Sequence, residues 1–232
     1  MALLDACFQQ KHNKQVCNPI FKHPDSFFLD EELVECMETY VESIWPPWNT
    51  EKPAPHKSDN QFEHDDLKVP RSVLDGCNDL FIAAEESREK ASTQFFDVTG
   101  IMALICCHDQ VLWMVNMKSA GEKQAYALAL VETFFQHVPH WWKLGLLYDI
   151  ICQLHHSCLK WGFLNWYISR LFFGLSIFHA FGHGWPCQLI YHPWKCPWFG
   201  LTDGEGCERI WKLLQFLIAF LRIAGVSNVL GQ

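Results

Sequence analysis

Hydrophobic positions along the chain change their period several times, and each change marks an element. The run Ala2-Leu3-Leu4-Asp5-Ala6-Cys7-Phe8 is short and almost continuously apolar, the pattern of a buried strand. Between Asp30 and Ile44 the spacing becomes helical: Leu33, Met37, Tyr40 with Val41, and Ile44 recur on one face behind an acidic first turn. Pro46-Pro47 ends that helix. From Trp45 to Pro70 the chain is Pro-rich, polar and aperiodic, and reads as a loop. Phe81–Lys90 looks helical again. Gly100–Cys107 and Val111–Met117 are β-rich runs on either side of His108-Asp109-Gln110, which predicts a hairpin. A helix is expected over Ala120–His137, with Tyr126, Leu130, Phe134 and Val138 on one face. Leu144–Tyr148 reads as a fully buried strand, followed by an aromatic helical stretch and a second short apolar run, Leu175–Phe178. The last helix, Gly204–Ile223, is apolar almost all round and is expected to be buried.

This order (strand, insert, hairpin, helix, strand, helical insert, strand, helix) predicts an α/β fold of ribonuclease-H-like type, a mixed sheet flanked by helices. The 232 residues, half of them hydrophobic, suffice for one core and its attachments rather than two domains. The expected organisation is a single unit over residues 1–232, with an acidic helical and loop insertion at 24–90 and an aromatic helical insertion at 153–174. Few domains begin immediately at a core strand, so the chain also reads as a fragment of something longer.

Charge changes this picture little. The net charge is −8, and it is unevenly spread: 22 acidic and 11 basic residues precede position 141, against 4 and 7 after it. That distribution neither requires nor forbids a DNA partner. The eleven cysteines lie partly inside apolar runs, as Cys106, Cys107 and Cys152 do, where small buried thiols are the ordinary reading. Met1-Ala-Leu-Leu-Asp5 has no secretory character, so a nuclear or cytoplasmic rather than secreted protein is expected. The aromatic segment 161–182 contains Arg170 and His179, and Ile210–Leu221 is short and contains Lys212, so no membrane span is expected.

Two constellations could carry chemistry. Two-metal phosphodiester chemistry needs carboxylates converging from rigid elements onto hard divalent cations. Asp5 lies on the first strand, Asp149 closes the fourth, and Glu205 and Glu208 open the last helix. Taken singly, each has a plainer reading: an acid after a strand is usually a turn residue, and Asp203-Gly-Glu205 suits a helix cap. The second constellation is His179, His183 and Cys187, spaced by four, which Cys152 and Cys207 could approach from other elements. Three nitrogen and sulfur donors can hold a structural zinc ion; buried thiols and hydrogen-bonded imidazoles are the alternative. Cys106-Cys107-His108 adds little to either.

Several long strings resemble the Kyakuja-Dileera-Zisupton (KDZ) transposases, a family known chiefly from fungal genomes. They are Leu4-Asp-Ala-Cys-Phe-Gln-Gln-Lys11, Lys90-Ala-Ser-Thr-Gln-Phe-Phe96 with Thr99-Gly100, and Ser119-Ala-Gly-Glu-Lys-Gln124. Leu147-Tyr-Asp-Ile150, Phe178-His-Ala180 with Gly182-His183 and Trp185-Pro-Cys-Gln188, and Gly200-Leu-Thr-Asp-Gly-Glu-Gly-Cys-Glu-Arg209 with Trp211 continue the series in order. The resemblance implies a ribonuclease-H-like core that cuts and joins DNA using Mg²⁺ or Mn²⁺. By position it makes Asp5 the first metal carboxylate, Asp149 the second, and Glu205 or Glu208 the third. It also implies a structural or metal-linked role for His179, His183 and Cys187.

The chain departs from the family pattern in places. Val98 stands where relatives carry an acid before Thr-Gly, with Asp97 one position early, and Cys107 replaces an Arg. Those departures suggest a truncated, decayed and inactive copy. The alternative is a non-catalytic, domesticated module that binds DNA or protein.

Overall fold

The computed structural model describes residues 1–13, 26–44, 76, 96–119 and 121–221. Five strands form the central sheet: β1 (Ala2–Cys7), β4 (Gly100–Cys106), β5 (Val111–Met117), β6 (Leu144–Tyr148) and β7 (Leu171–Gly174), in the order β5-β4-β1-β6-β7. β1 runs antiparallel to β4, and β4 to β5, whereas β1, β6 and β7 are mutually parallel. A small second sheet joins β2 (His12–Asn13) to β3 (Phe96–Val98). The hairpin turns between Cys106 and Val111, with Asp109 in the left-handed region at φ 58°. The element order is therefore that of a mixed α/β sheet with a β–α–β crossover at one end.

Helix α1 (Glu31–Ile44) packs on α2 (Gln124–His137), and both cover one face of the sheet. Val34, Met37 and Val41 form the buried face of α1, while Tyr40 stays exposed. α2 begins later than its apolar pattern suggests, because Gly121 takes φ 77° and Lys123 is extended. Its buried residues include Ala125 to Val131 without interruption, so it is enclosed all round rather than along one stripe. The sheet covers its inner side and α1 its outer side.

Segment 153–174, expected as an aromatic helical insertion, holds most of α3 (Ile151–Trp161), a 3₁₀ turn at Ile168–Arg170 and edge strand β7. Two expectations need correction. The strand expected at Leu175–Phe178 lies four residues earlier, and Ile177–Ala180 forms the short helix α4. Packing accounts for the shift: the ring of Phe199 lies against Gly174 of β7 and against Gly145 of β6, and a Cβ at either would meet it at 3.0 Å. The final helix is neither continuous nor buried. α6 (Gly206–Leu214) passes through a 3₁₀ turn into α7 (Ile218–Leu221), and α5 (Trp185–Tyr191) precedes them. α6 buries Gly206, Cys207 and Trp211, whereas Leu213, Phe216 and Phe220 are at least 69% exposed. Of the expected insertion at 24–90, α1 belongs to the main core, and the loop 45–70 and helix 81–90 lie outside the described residues.

The alternation of β1 matters most for function. Ala2 and Leu4 face the helices α1–α3, while Leu3 and Cys7 face a second, smaller core with Phe199, Cys207 and Trp211. Asp5 shares the parity of Leu3 and Cys7, so its side chain enters the layer covered by α6.

Candidate active site

The parallel register between β1 and β6 pairs Leu3 with Leu147 and Leu4 with Tyr148. One further step sets Asp5 beside Asp149, and both have the parity of Leu3 and Leu147. Adjacent strands lie about 4.8 Å apart, so two carboxylates are forced together on one side of the sheet. α6 crosses this side and brings Glu208. A single pocket is lined by Asp5, Asp149, Ser176, His179, Glu205 and Glu208, among others.

Each acid has a different setting. Asp5 Oδ2 accepts a 2.6 Å hydrogen bond from Trp211 Nε1, and its Oδ1 accepts one of 2.7 Å from the Ala6 N–H. Burial of its carboxyl pushes the pKa up to about 8; the Asp149 charge adds to this and Glu208 adds less, against the lowering effect of the two hydrogen bonds. Asp149 Oδ1 accepts from the Ile150 N–H at 2.8 Å. Glu208 Oε1 stands 3.7 Å from His179 Nε2. Glu205 is engaged differently: its Oε1 accepts the Phe178 N–H at 2.9 Å and so holds the first turn of α4. The negative field extends to Cys207, whose thiol is pushed well up by burial first and then by Asp5, Asp149 and Glu208.

The scaffold that aims α6 is specific. Asp203 Oδ1 accepts the Glu205 N–H at 3.0 Å, the turn-and-cap role that its position suggested. Arg209 grips Asp109 of the hairpin turn through two bonds of 2.8 and 2.9 Å and reaches Asp203 Oδ2 at 2.9 Å. Gly204 lies at φ 76°, and a Cβ there would come within 2.9 Å of Ser176, so this turn admits only glycine. On the opposite face, the Tyr148 hydroxyl donates to buried Glu122 at 2.7 Å and ties the end of β6 to the start of α2.

Trp211, Arg209 and Glu122 lie within the family-like strings, but the strings alone give them no role. A tryptophan one turn beyond an acid on an amphipathic helix was the available signal for the first. Glu122 had none, because its partner is 26 residues away in sequence. Asp97, one position before Val98, accepts a 2.7 Å hydrogen bond from His12 Nδ1 in the small sheet, and neither it nor Val98 lines the acidic pocket.

The second constellation assembles with one changed member. Cys152, His183 and Cys187 place their ligand atoms within 4.8 Å of one another, so this cluster can hold a metal ion. His179 is not part of it, contrary to the spacing: α4 and α5 are separate short helices, so residues four apart do not share a face, and His179 turns to Glu208. Cys207 lies in the smaller core instead.

The acidic pocket offers carboxylate oxygens from three rigid elements, which suit hard cations such as Mg²⁺ or Mn²⁺. A proton-retaining Asp5 beside Asp149 is the state expected of such a set without a cation, since two adjacent carboxylates resist joint ionisation. Among the described residues, no helix is long and apolar enough to cross a membrane. The family described as Kyakuja-Dileera-Zisupton transposase matches residues 1–230. No curated protein and no solved structure matches the chain.

Proposed function

The chain belongs to the Kyakuja-Dileera-Zisupton transposase family, and on that premise we propose that Asp5, Asp149 and Glu208 form a centre for metal-dependent cleavage and joining of DNA. The observation that carries this reading is the register of β1 against β6, which brings two acids of one parity side by side beneath α6. The sheet order, three antiparallel strands continued by two parallel ones, supports a ribonuclease-H-like core. Mg²⁺ or Mn²⁺ held here would activate an attacking oxygen and stabilise the leaving one. The chain's own contribution is to fix the carboxylates, with Trp211 holding Asp5 and the Arg209–Asp109 clamp holding α6. Glu208 is the third acid because its charge reaches Asp5, whereas Glu205 spends an oxygen on the α4 backbone. The departures that suggested decay, at Val98 and Cys107, lie off this centre. The Cys152–His183–Cys187 cluster, with thiol and imidazole donors, suits zinc rather than magnesium.

The test is nicking of supercoiled DNA by the purified chain with Mg²⁺ or Mn²⁺, against Asp149→Ala. We expect metal-dependent nicking that the variant lacks. Equal nicking by both would sink the site assignment. Salt-sensitive DNA binding with no cleavage would favour the alternative, a non-catalytic binding module.

A further inference from the structure

Asp149 belongs to both constellations at once. Its side chain enters the acidic pocket, while its backbone carbonyl lies 2.7 Å from Nε2 of His183. The other ring nitrogen, Nδ1, lies 3.6 Å from Cys152 Sγ. A tetrahedral zinc ion with ordinary Zn–S and Zn–N bond lengths separates its sulfur and nitrogen ligands by about 3.6 Å. A ligating imidazole typically donates its remaining N–H to a carbonyl or carboxylate, which fixes ring and tautomer. Here Nδ1 faces the sulfurs and Nε2 faces a carbonyl, as that arrangement requires. Cys152 and Cys187 are fully buried, and His183 is half-buried.

We infer that a zinc ion on Cys152, His183 and Cys187 makes His183 the positioning residue of Asp149. The ion commits Nδ1, the Nε2–H then has to point at the Asp149 carbonyl, and the β6–α3 turn is held where its carboxylate meets Asp5. Cys152 lies in the first turn of α3 and Cys187 in α5, so the cluster also pins α5 against the helix that follows the acid. This inference rests on the reading of Asp149 as a metal carboxylate, but the zinc site itself does not.

The full chain, freed of metal, is given one equivalent of Co²⁺ and then of Zn²⁺. A sulfur-to-cobalt charge-transfer band is expected, displaced by zinc and absent in Cys187→Ser. Mn²⁺ affinity, followed by electron paramagnetic resonance, should be about 10–100-fold weaker in the zinc-free chain than in the zinc-loaded one. His183→Ala should show the same loss. His183→Gln, whose amide N–H can replace Nε2–H, should lose the cobalt band yet recover most of the Mn²⁺ affinity. Because the zinc-free and zinc-loaded samples are one chain, the comparison stands even where a cysteine variant fails to fold.

No cobalt–thiolate band would overturn the zinc site. Equal Mn²⁺ affinity with and without zinc, or equal loss in the Ala and Gln variants, would overturn the positioning role alone. A chain that binds cobalt at the thiolates but no Mn²⁺ would overturn the carboxylate reading, and the positioning role with it.

Discussion

The two donor clusters flank the same turn and differ in almost every physical respect. The acidic pocket collects oxygen from β1, the end of β6 and α6, and its geometry is set by strand register. The Cys152–His183–Cys187 cluster collects sulfur and nitrogen from α3, the loop before α5 and α5 itself, and its geometry depends on how two helices dock. In the first, burial and then the Asp149 charge raise the Asp5 pKa to about 8. The second has both its thiols buried in the larger apolar core. A register is hard to perturb, since a one-residue slip would turn every side chain of β1 to the wrong face. Docked short helices are easier to displace. On the proposed reading, the rigid cluster carries the chemistry and the looser one adjusts it.

The sharpest way to separate the two is Asp149→Asn. It removes a ligand of the acidic pocket but leaves the carbonyl that His183 contacts. We expect cleavage to fall by about two to three orders of magnitude, while the cobalt–thiolate band is unchanged. A lost band would mean that the two clusters are one site.

Within the acidic cluster, Glu208→Gln and Glu205→Gln should part company. Glu208→Gln should weaken Mn²⁺ binding by about 10–100-fold, by analogy with other groups that tune a metal site. Glu205→Gln should change it less than about threefold, since an amide oxygen still accepts the Phe178 N–H. Titration of Mn²⁺ against each purified variant reads the difference. The reverse order would exchange the two residues' roles.

The proton on Asp5 gives a pH prediction whose sign is fixed. Its carboxyl pKa is raised from the ordinary 3.8 to about 8 in the folded chain. The folded state therefore holds this proton more tightly than the unfolded state does. The resulting stability is fully present below about pH 4 and is lost as pH rises towards 8. Metal affinity should run the other way, rising with pH until Asp5 is ionised. Asp5→Asn should flatten the pH dependence of the metal-free melting temperature between about pH 4 and 8. A melting curve for Asp5→Asn that tracks the parent at every pH would refute the shift.

Trp211→Phe keeps the ring in the smaller core but deletes the Nε1–H that holds Asp5 Oδ2. It removes an interaction that lowers the Asp5 pKa, so the pH midpoint for Mn²⁺ binding should rise. The stability cost should be about 1–2 kcal/mol, read from denaturant melts. The smallest effect is expected at Asp97→Asn. Its carboxylate is 39% exposed beside His12 in the second sheet, so metal binding should be unaffected and stability altered by less than about 1 kcal/mol.

Much of the scaffold was legible from local pattern. β6 is apolar throughout because it is central and covered on both faces, and its limits follow from that alone. The hairpin was legible because two β-rich runs meet at residues suited to a turn. β7 was not, since two apolar runs, Leu171–Gly174 and Leu175–Phe178, compete for one sheet position. Phe199, from farther along the chain, favours the first, because its ring lies against Gly174 of β7 as well as Gly145 of β6. α6 and α7 were misjudged because apolar composition does not say whether a partner covers them, and Phe216 remains 80% exposed.

The sequence by itself determined which acids were available and that Asp5 and Asp149 sit on or just after core strands, since period and run length are local properties. It also contained every member of the soft cluster. Only the tertiary structure decided which of them meet. Parallel pairing of β1 with β6 joins residues about 140 positions apart, and that register, rather than any spacing, puts two carboxylates on one side of the sheet. The same folding turned His179 towards Glu208 and brought Cys152 to His183, because separate short helices do not preserve a four-residue face. Contacts of that range depend on how elements pack, and no local pattern encodes them.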